Sequence, residues 1–163
     1  MAWASHIAQV DPASVPYGAL VAQNQVRTPL KIKVGDQPSH RLSDGSVVYI
    51  RHVTAPPGQS SGWHTHAGPA LVTIVKGSLT LYDAPARNDD DETGDDEKAD
   101  QACAGATYAA GQGFIDAGFG HVHLAIAGSQ GADFYQTLIL PPDSSDTLAT
   151  PAPAPADPAC PRG

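Results

Sequence analysis

Glutamate is nearly absent from this chain. The only two, Glu92 and Glu97, fall in one acidic run, so no glutamate is available as a ligand or acid anywhere else. Cysteine is as scarce: Cys103 lies beyond that run and Cys160 in the terminal segment, and neither sits in a C-x-x-C or zinc-finger spacing. They are expected to take no part in the chemistry. A disulfide between them is possible, but a cytoplasmic setting and a flexible tail partner argue against it as a structural staple. No apolar run is long enough to span a bilayer, which excludes a membrane-spanning helix. The N-terminal stretch MAWASHIAQVDPASVPYGAL lacks a basic segment followed by an apolar one, so no secretory signal is read and a cytoplasmic protein is expected. The nine lysines and arginines are scattered, which leaves no basic patch for nucleic acid.

What is present points to β-structure. The 163 residues are 41% apolar, enough for one domain with a sizeable core, and 16 glycines and 15 prolines punctuate short alternating apolar runs. Strands are predicted near 30–34, 46–54, 61–66, 70–76, 78–83, 106–109, 112–116, 121–127 and 132–140. Turns are expected at Asp44-Gly45, Pro57-Gly58, Lys76-Gly77 and Gly128-Ser129. Many short strands with glycine-rich turns mean a sandwich or barrel. Pro12, Pro16 and Pro29 interrupt any long element before residue 30, so residues 1–29 are read as an arm with at most a short helix. Residues 30–140 form the barrel. Residues 83–105 form an acidic loop, in which nine acids against two bases between 83 and 100 carry most of the formal charge of −8. Residues 141–163 hold seven of the prolines and read as a disordered tail.

Histidine supplies the candidate chemistry. His64 and His66 stand two apart between Gly58 and Gly77, and a second such pair, His121 and His123, recurs in GFGHVHLAIAG. Alternate residues of a strand share a face, so each pair presents two imidazoles to one side, where they could converge on a metal ion. His6, His40 and His52 lack such a pattern and read as ordinary core or surface residues. Trp63, on the opposite strand face from its histidine neighbours, is expected to pack outside or at a subunit contact. Tyr82, Phe114, Phe119 and Tyr135 could line a pocket or fill the core; Tyr82, Phe114 and Tyr135 are the pocket candidates.

These residues resemble the motifs of the cupin superfamily. The first motif of that family is Gly, five residues, His-x-His, three or four residues, Glu, six residues, Gly. It is matched by Gly58, His64, His66 and Gly77, with Ala70 in place of the glutamate. The second is matched loosely by Gly111, Ala117, Gly120, His123 and Ala127, with one extra residue before Gly120. The resemblance spans about residues 46 to 140 and implies an all-β double-stranded β-helix, or jelly-roll barrel, usually with one metal inside. It also implies an all-histidine site of His64, His66 and His123, with His121 a fourth ligand or an acid/base. Asp116 and Asp133 are the nearest carboxylates in predicted strands, but neither occupies the motif position. Arg51 is the only strand arginine, and no basic clamp is evident near the motifs.

By the same resemblance, the expected function is that of a mononuclear non-haem Fe(II) dioxygenase or related oxidoreductase. Its substrate would be a small anionic or chelating organic molecule, with dioxygen as co-substrate. Zinc, nickel, manganese and copper also suit imidazole ligands. Two alternatives stand beside this reading: a non-oxidative metal-assisted isomerase, cyclase or lyase, and a non-catalytic binding or sensor module. A homodimer formed through the arm is expected by analogy with the fold alone.

Overall fold

The computed structural model describes residues 18–35, 39–85, 103–142, 144 and 148–163. The fold is all-β. Among the described residues ten strands run in chain order: β1 (Gly18–Gln25), β2 (Leu30–Ile32), β3 (His40–Leu42), β4 (Val47–Ala55), β5 (His64–Thr65), β6 (Ala70–Asp83), β7 (Ala106–Ala109), β8 (Gly113–Asp116), β9 (His123–Leu140) and β10 (Thr150–Pro151). Among the described residues no helix is long and apolar enough to cross a membrane.

The long strands β6 and β9 pair with each other antiparallel from end to end and form the spine of the barrel. In one half, β9 carries β4 on its free edge and β6 carries β8, with β1 added outside β4. In the other half, β6 carries β7, while β9 takes β5 and the bridge from Ser60. The apolar pattern explains how two strands serve both halves. Along β6 the buried residues are Ala70, Val72 and Ile74, then Leu79 and Leu81, so the inward face changes from even to odd positions. The pairing register of β6 on β9 shifts at that point, between Ile74 and Lys76 and again between Gly77 and Leu79. An extra residue in one strand turns its side chains over and bends it, and this lets both strands pass round the barrel.

The bend brings backbones into close approach. Gly77 has φ +67°, and a Cβ there would lie 2.0 Å from the carbonyl oxygen of Gly131, itself at φ +76°. No side chain fits at that crossing. Gly77→Ala is expected to cost about 2–3 kcal/mol from backbone strain and displaced pairing, read as a lowered urea midpoint. An unchanged midpoint would show that the bend tolerates a side chain.

Several expected elements differ from what is observed. The turns expected at Lys76-Gly77 and Gly128-Ser129 fall inside the continuous strands β6 and β9, at the points where their pairing register shifts. Residues 18–25, placed in the arm, form β1 and extend the sheet along β4. The rest of the arm and most of the acidic loop lie outside the described residues. The tail is not disordered where it is described. Leu148 is buried with Tyr49, Ala70, Leu138 and Leu140, Thr150–Pro151 pairs with β5, and Cys160 is bonded to Cys103. The two cysteines are paired, and the bond is a structural staple against expectation: Trp63, Leu124 and both cysteines form one buried cluster.

Candidate metal centre

Short strand β5 places His64 directly opposite His123 of β9, and the chain then carries His66 to the same interior. The ring centroids lie 4.3 Å apart for His64 and His123, 4.9 Å for His64 and His66, and 5.2 Å for His66 and His123. One nitrogen from each ring comes within 4.8 Å of the other two, close enough to share an ion.

Backbone carbonyls settle which nitrogen is available. His64 Nδ1–H donates to the carbonyl of Gly62 at 2.8 Å, and His66 Nδ1–H donates to the carbonyl of Leu148 at 2.5 Å. A carbonyl only accepts, so each Nδ1 carries the proton and each neutral ring keeps its Nε2 lone pair free. His66 Nε2 is buried and has no hydrogen-bond partner among the described residues. Burial pushes His66 down to about 4, reinforced by its neighbour His64, and pushes His123 down to about 3; His64 is lowered for the same reason. Three neutral imidazoles with an orphaned inward nitrogen are a donor set that fits a divalent transition metal.

A carboxylate stands beside this set although position 70 is alanine. Asp116 of β8 is the register partner of Ala70, is only 2% exposed and lines the same cavity. Its Oδ1 accepts from His121 Nδ1–H at 2.7 Å and lies 3.4 Å from His123 Nδ1, while its Oδ2 has no partner among the described residues. Burial pushes the Asp116 carboxyl up, but the hydrogen bond from His121 and the charges of the surrounding histidines outweigh it and hold the group below its ordinary range. Asp116, His121 and His123 form a second cluster that could hold an ion, sharing His123 with the first. Asp133 faces away and pairs with His52.

His121 was expected on the strand face of His123. The structure instead begins β9 at His123 and leaves His121 in the preceding loop, outside the cavity lining and outside the three-histidine group. It reaches the site through Asp116, and its Nε2 lies 3.6 Å from Asp83. The Asp116 hydrogen bond raises His121 against the opposing effect of burial.

Of the three pocket candidates, only Phe114 lines the cavity. Tyr82 packs against the cluster of Trp63 and the disulfide, and Tyr135 is 44% exposed and stacks on His52. Both tyrosines fall on the outer face because the bend reverses the alternation. For the same reason Phe134, rather than Tyr135, faces inward. Trp63 is not a surface residue: it is 5% exposed, and its Nε1–H donates to the carbonyl of Pro161 at 2.9 Å. The tail thus covers the tryptophan, and through Leu148 it orients a histidine. Nothing in its composition signals either role.

The three histidines and Asp116 line a cavity of about 340 Å³. Its walls are mostly apolar, from Val53, Val72, Leu79, Leu81, Phe114 and Phe134. The polar groups are few and convergent, the usual make-up of a small-molecule site.

The lowered histidines have a consequence for the metal-free protein. Unfolded, they take up protons as pH falls through about 6.5; folded, His66 and His123 resist until about 4 and 3. The unfolded chain therefore binds more protons in this window, and stability is lost as pH falls from about 6.5 towards 3. The lowered Asp116 acts in the same direction at the acid end, and the raised His121 loses its contribution only at higher pH. Urea midpoints of metal-free protein at constant ionic strength should fall steadily from pH 7 to pH 4. A flat profile would contradict the burial assigned to these rings.

No family profile and no curated protein matches this sequence. Solved structures do resemble it. A cupin superfamily protein from Desulfitobacterium hafniense DCB-2 is 15% identical with a TM-score of 0.41, covering 72% of this chain and 82% of its own. KdgF from Halomonas sp. is 14% identical at 0.42, over 62% and 74%. An oxalate oxidase is 15% identical at 0.46, over 65% and 46%. By fold and site, the chain is a jelly-roll barrel, similar to cupins, with a three-histidine group able to hold a metal ion.

Proposed function

We propose that this protein is a mononuclear metal-dependent cupin enzyme, a non-haem Fe(II) dioxygenase or related oxidoreductase acting on a small anionic or chelating organic substrate. The observation that carries the reading is the pair of backbone carbonyls that fix His64 and His66 with Nε2 free, next to His123 and at the wall of a mostly apolar cavity. His64, His66 and His123 would hold the ion. Three neutral ligands leave its charge uncompensated and leave coordination positions open, so bound iron would polarise an anionic donor and supply redox chemistry with dioxygen.

The chain's own groups do the rest. Val72, Phe114 and Phe134 exclude water from the bound substrate. Asp116 presents Oδ2 as the acceptor for a substrate O–H or N–H, while His121 keeps that carboxylate ionised and oriented. His121 is thus a positioning residue.

An oxygen electrode tests the proposal on protein loaded with Fe(II) or with Zn(II), offered a panel of β-diketones, phenolic acids and hydroxy acids. Oxygen uptake with iron and none with zinc is expected. Turnover without oxygen uptake would replace this reading with metal-assisted isomerase, cyclase or lyase chemistry.

A further inference from the structure

Arg41 also lies in a strand, on β3, but Arg51 is the arginine that lines the cavity, and the register of β4 turns it inward. On β4 the buried residues alternate as Tyr49, Arg51, Val53 and Ala55, so the guanidinium shares the barrel interior with the three histidines. It is only 8% exposed and its Nε has no hydrogen-bond partner; no carboxylate among the described residues forms an ion pair with it. The one carboxylate that lines the cavity, Asp116, accepts from His121 through Oδ1 and forms no ion pair with Arg51. Burial alone accounts for the lowering of Arg51 to about 10, with no neighbouring anion acting against it. Its charge is also among those that disfavour protonation of His64 and His66, which places it within electrostatic reach of the histidine face.

A buried charge without a counter-ion is costly and is retained where something else supplies the partner. The expectation that no basic clamp lies near the motifs is therefore reversed by the strand register. Gln136, the Cα partner of Arg51 on β9, lines the same cavity and adds an amide beside the guanidinium. A planar guanidinium fork matches a carboxylate through two parallel hydrogen bonds.

We propose that Arg51 and Gln136 form an anion subsite that anchors the carboxylate of a small organic acid, whose second oxygen donor is directed to the histidine face. Phe114 and Phe134 wall the space where a flat or short carbon skeleton would lie. The substrate class narrows to hydroxy-, keto- or phenolic acids with two separated oxygen functions. The direction of the second donor rests on the metal reading above, whereas the carboxylate anchor stands without it.

The test is calorimetric binding of benzoate, salicylate, pyruvate and phenol to the full-length protein, both metal-free and loaded with Zn(II). The parent, Arg51→Gln and Arg51→Lys are compared. The carboxylates are expected to bind the metal-free parent, at least about 30-fold more weakly to Arg51→Gln and with partial recovery in Arg51→Lys. Phenol, which has no carboxylate, should bind all three alike. Salicylate alone among the aromatic ligands should gain affinity when zinc is loaded. If the carboxylates bind the parent and Arg51→Gln equally, or bind neither, the anchor is overturned. If zinc binds nowhere while carboxylate binding still depends on Arg51, the metal reading fails and the anchor stands. Should Arg51→Gln fold poorly, the parent gives an independent readout: benzoate and pyruvate must raise its melting temperature in a concentration-dependent way where equal concentrations of phenol do not.

Discussion

His66→Ala binds a divalent metal at least about 100-fold more weakly than the parent, measured by titrating metal-free protein with Zn(II) or Fe(II) under anaerobic conditions. Loss of an outer hydrogen-bond partner already costs 10–100-fold in such sites, and here a ligand itself is removed. His66 is the sharper choice of the three. Its Nε2 is buried without a partner, its Nδ1 is held by the Leu148 carbonyl, and the alanine variant deletes that oriented nitrogen without removing a salt bridge. His66→Gln, which keeps an amide in the same space, should retain the fold and still lose the metal. Unchanged affinity in His66→Ala would mean that ions bind at Asp116, His121 and His123 instead.

Breaking the Cys103–Cys160 disulfide is the largest expected stability change. The bond closes a loop with a sequence separation of 57, for which the chain-entropy account gives about 4 kcal/mol. In a chain of this size that corresponds to a fall in melting temperature on the order of 10 °C. The double substitution Cys103→Ser with Cys160→Ser, or incubation of the parent with a reductant, should show it. A second effect accompanies the first. The segment anchored by Cys160 also supplies the Leu148 carbonyl that fixes His66 and the Pro161 carbonyl that holds Trp63. Reduction should therefore weaken metal binding roughly 10-fold, as loss of an outer partner does. A reduced protein with unaltered melting and unaltered metal affinity would show that the tail stays docked without the bond.

The legible part of the site was the local part. Gly58, His64, His66 and Gly77 lie within one short stretch, and strand alternation is enough to bring two imidazoles to one face. His123 follows from the resemblance to the second motif. The features that escaped reading depend on pairing between distant residues. Asp116 matters because it sits across from Ala70, Arg51 because β4 presents odd positions inward, and the Leu148 carbonyl because the tail returns to β5. Alternation also misleads wherever a strand carries an extra residue: the bends at Gly77 and Gly131 exchange inner and outer faces, which is why Tyr82 and Tyr135 left the pocket and Phe134 entered it. Composition misjudged the tail for a related reason. Proline-rich chain cannot build a core of its own, yet it docks readily on one that a disulfide holds beside it.

Anomalous scattering at the metal edge, from crystals of the protein grown with its copurified ion, tests the three-histidine centre most directly. One peak is expected at about 2.0–2.1 Å from a nitrogen of each of His64, His66 and His123, with Asp116 outside the coordination sphere. A peak bound by Asp116, His121 and His123, or no peak at all in protein that binds carboxylates normally, would contradict it.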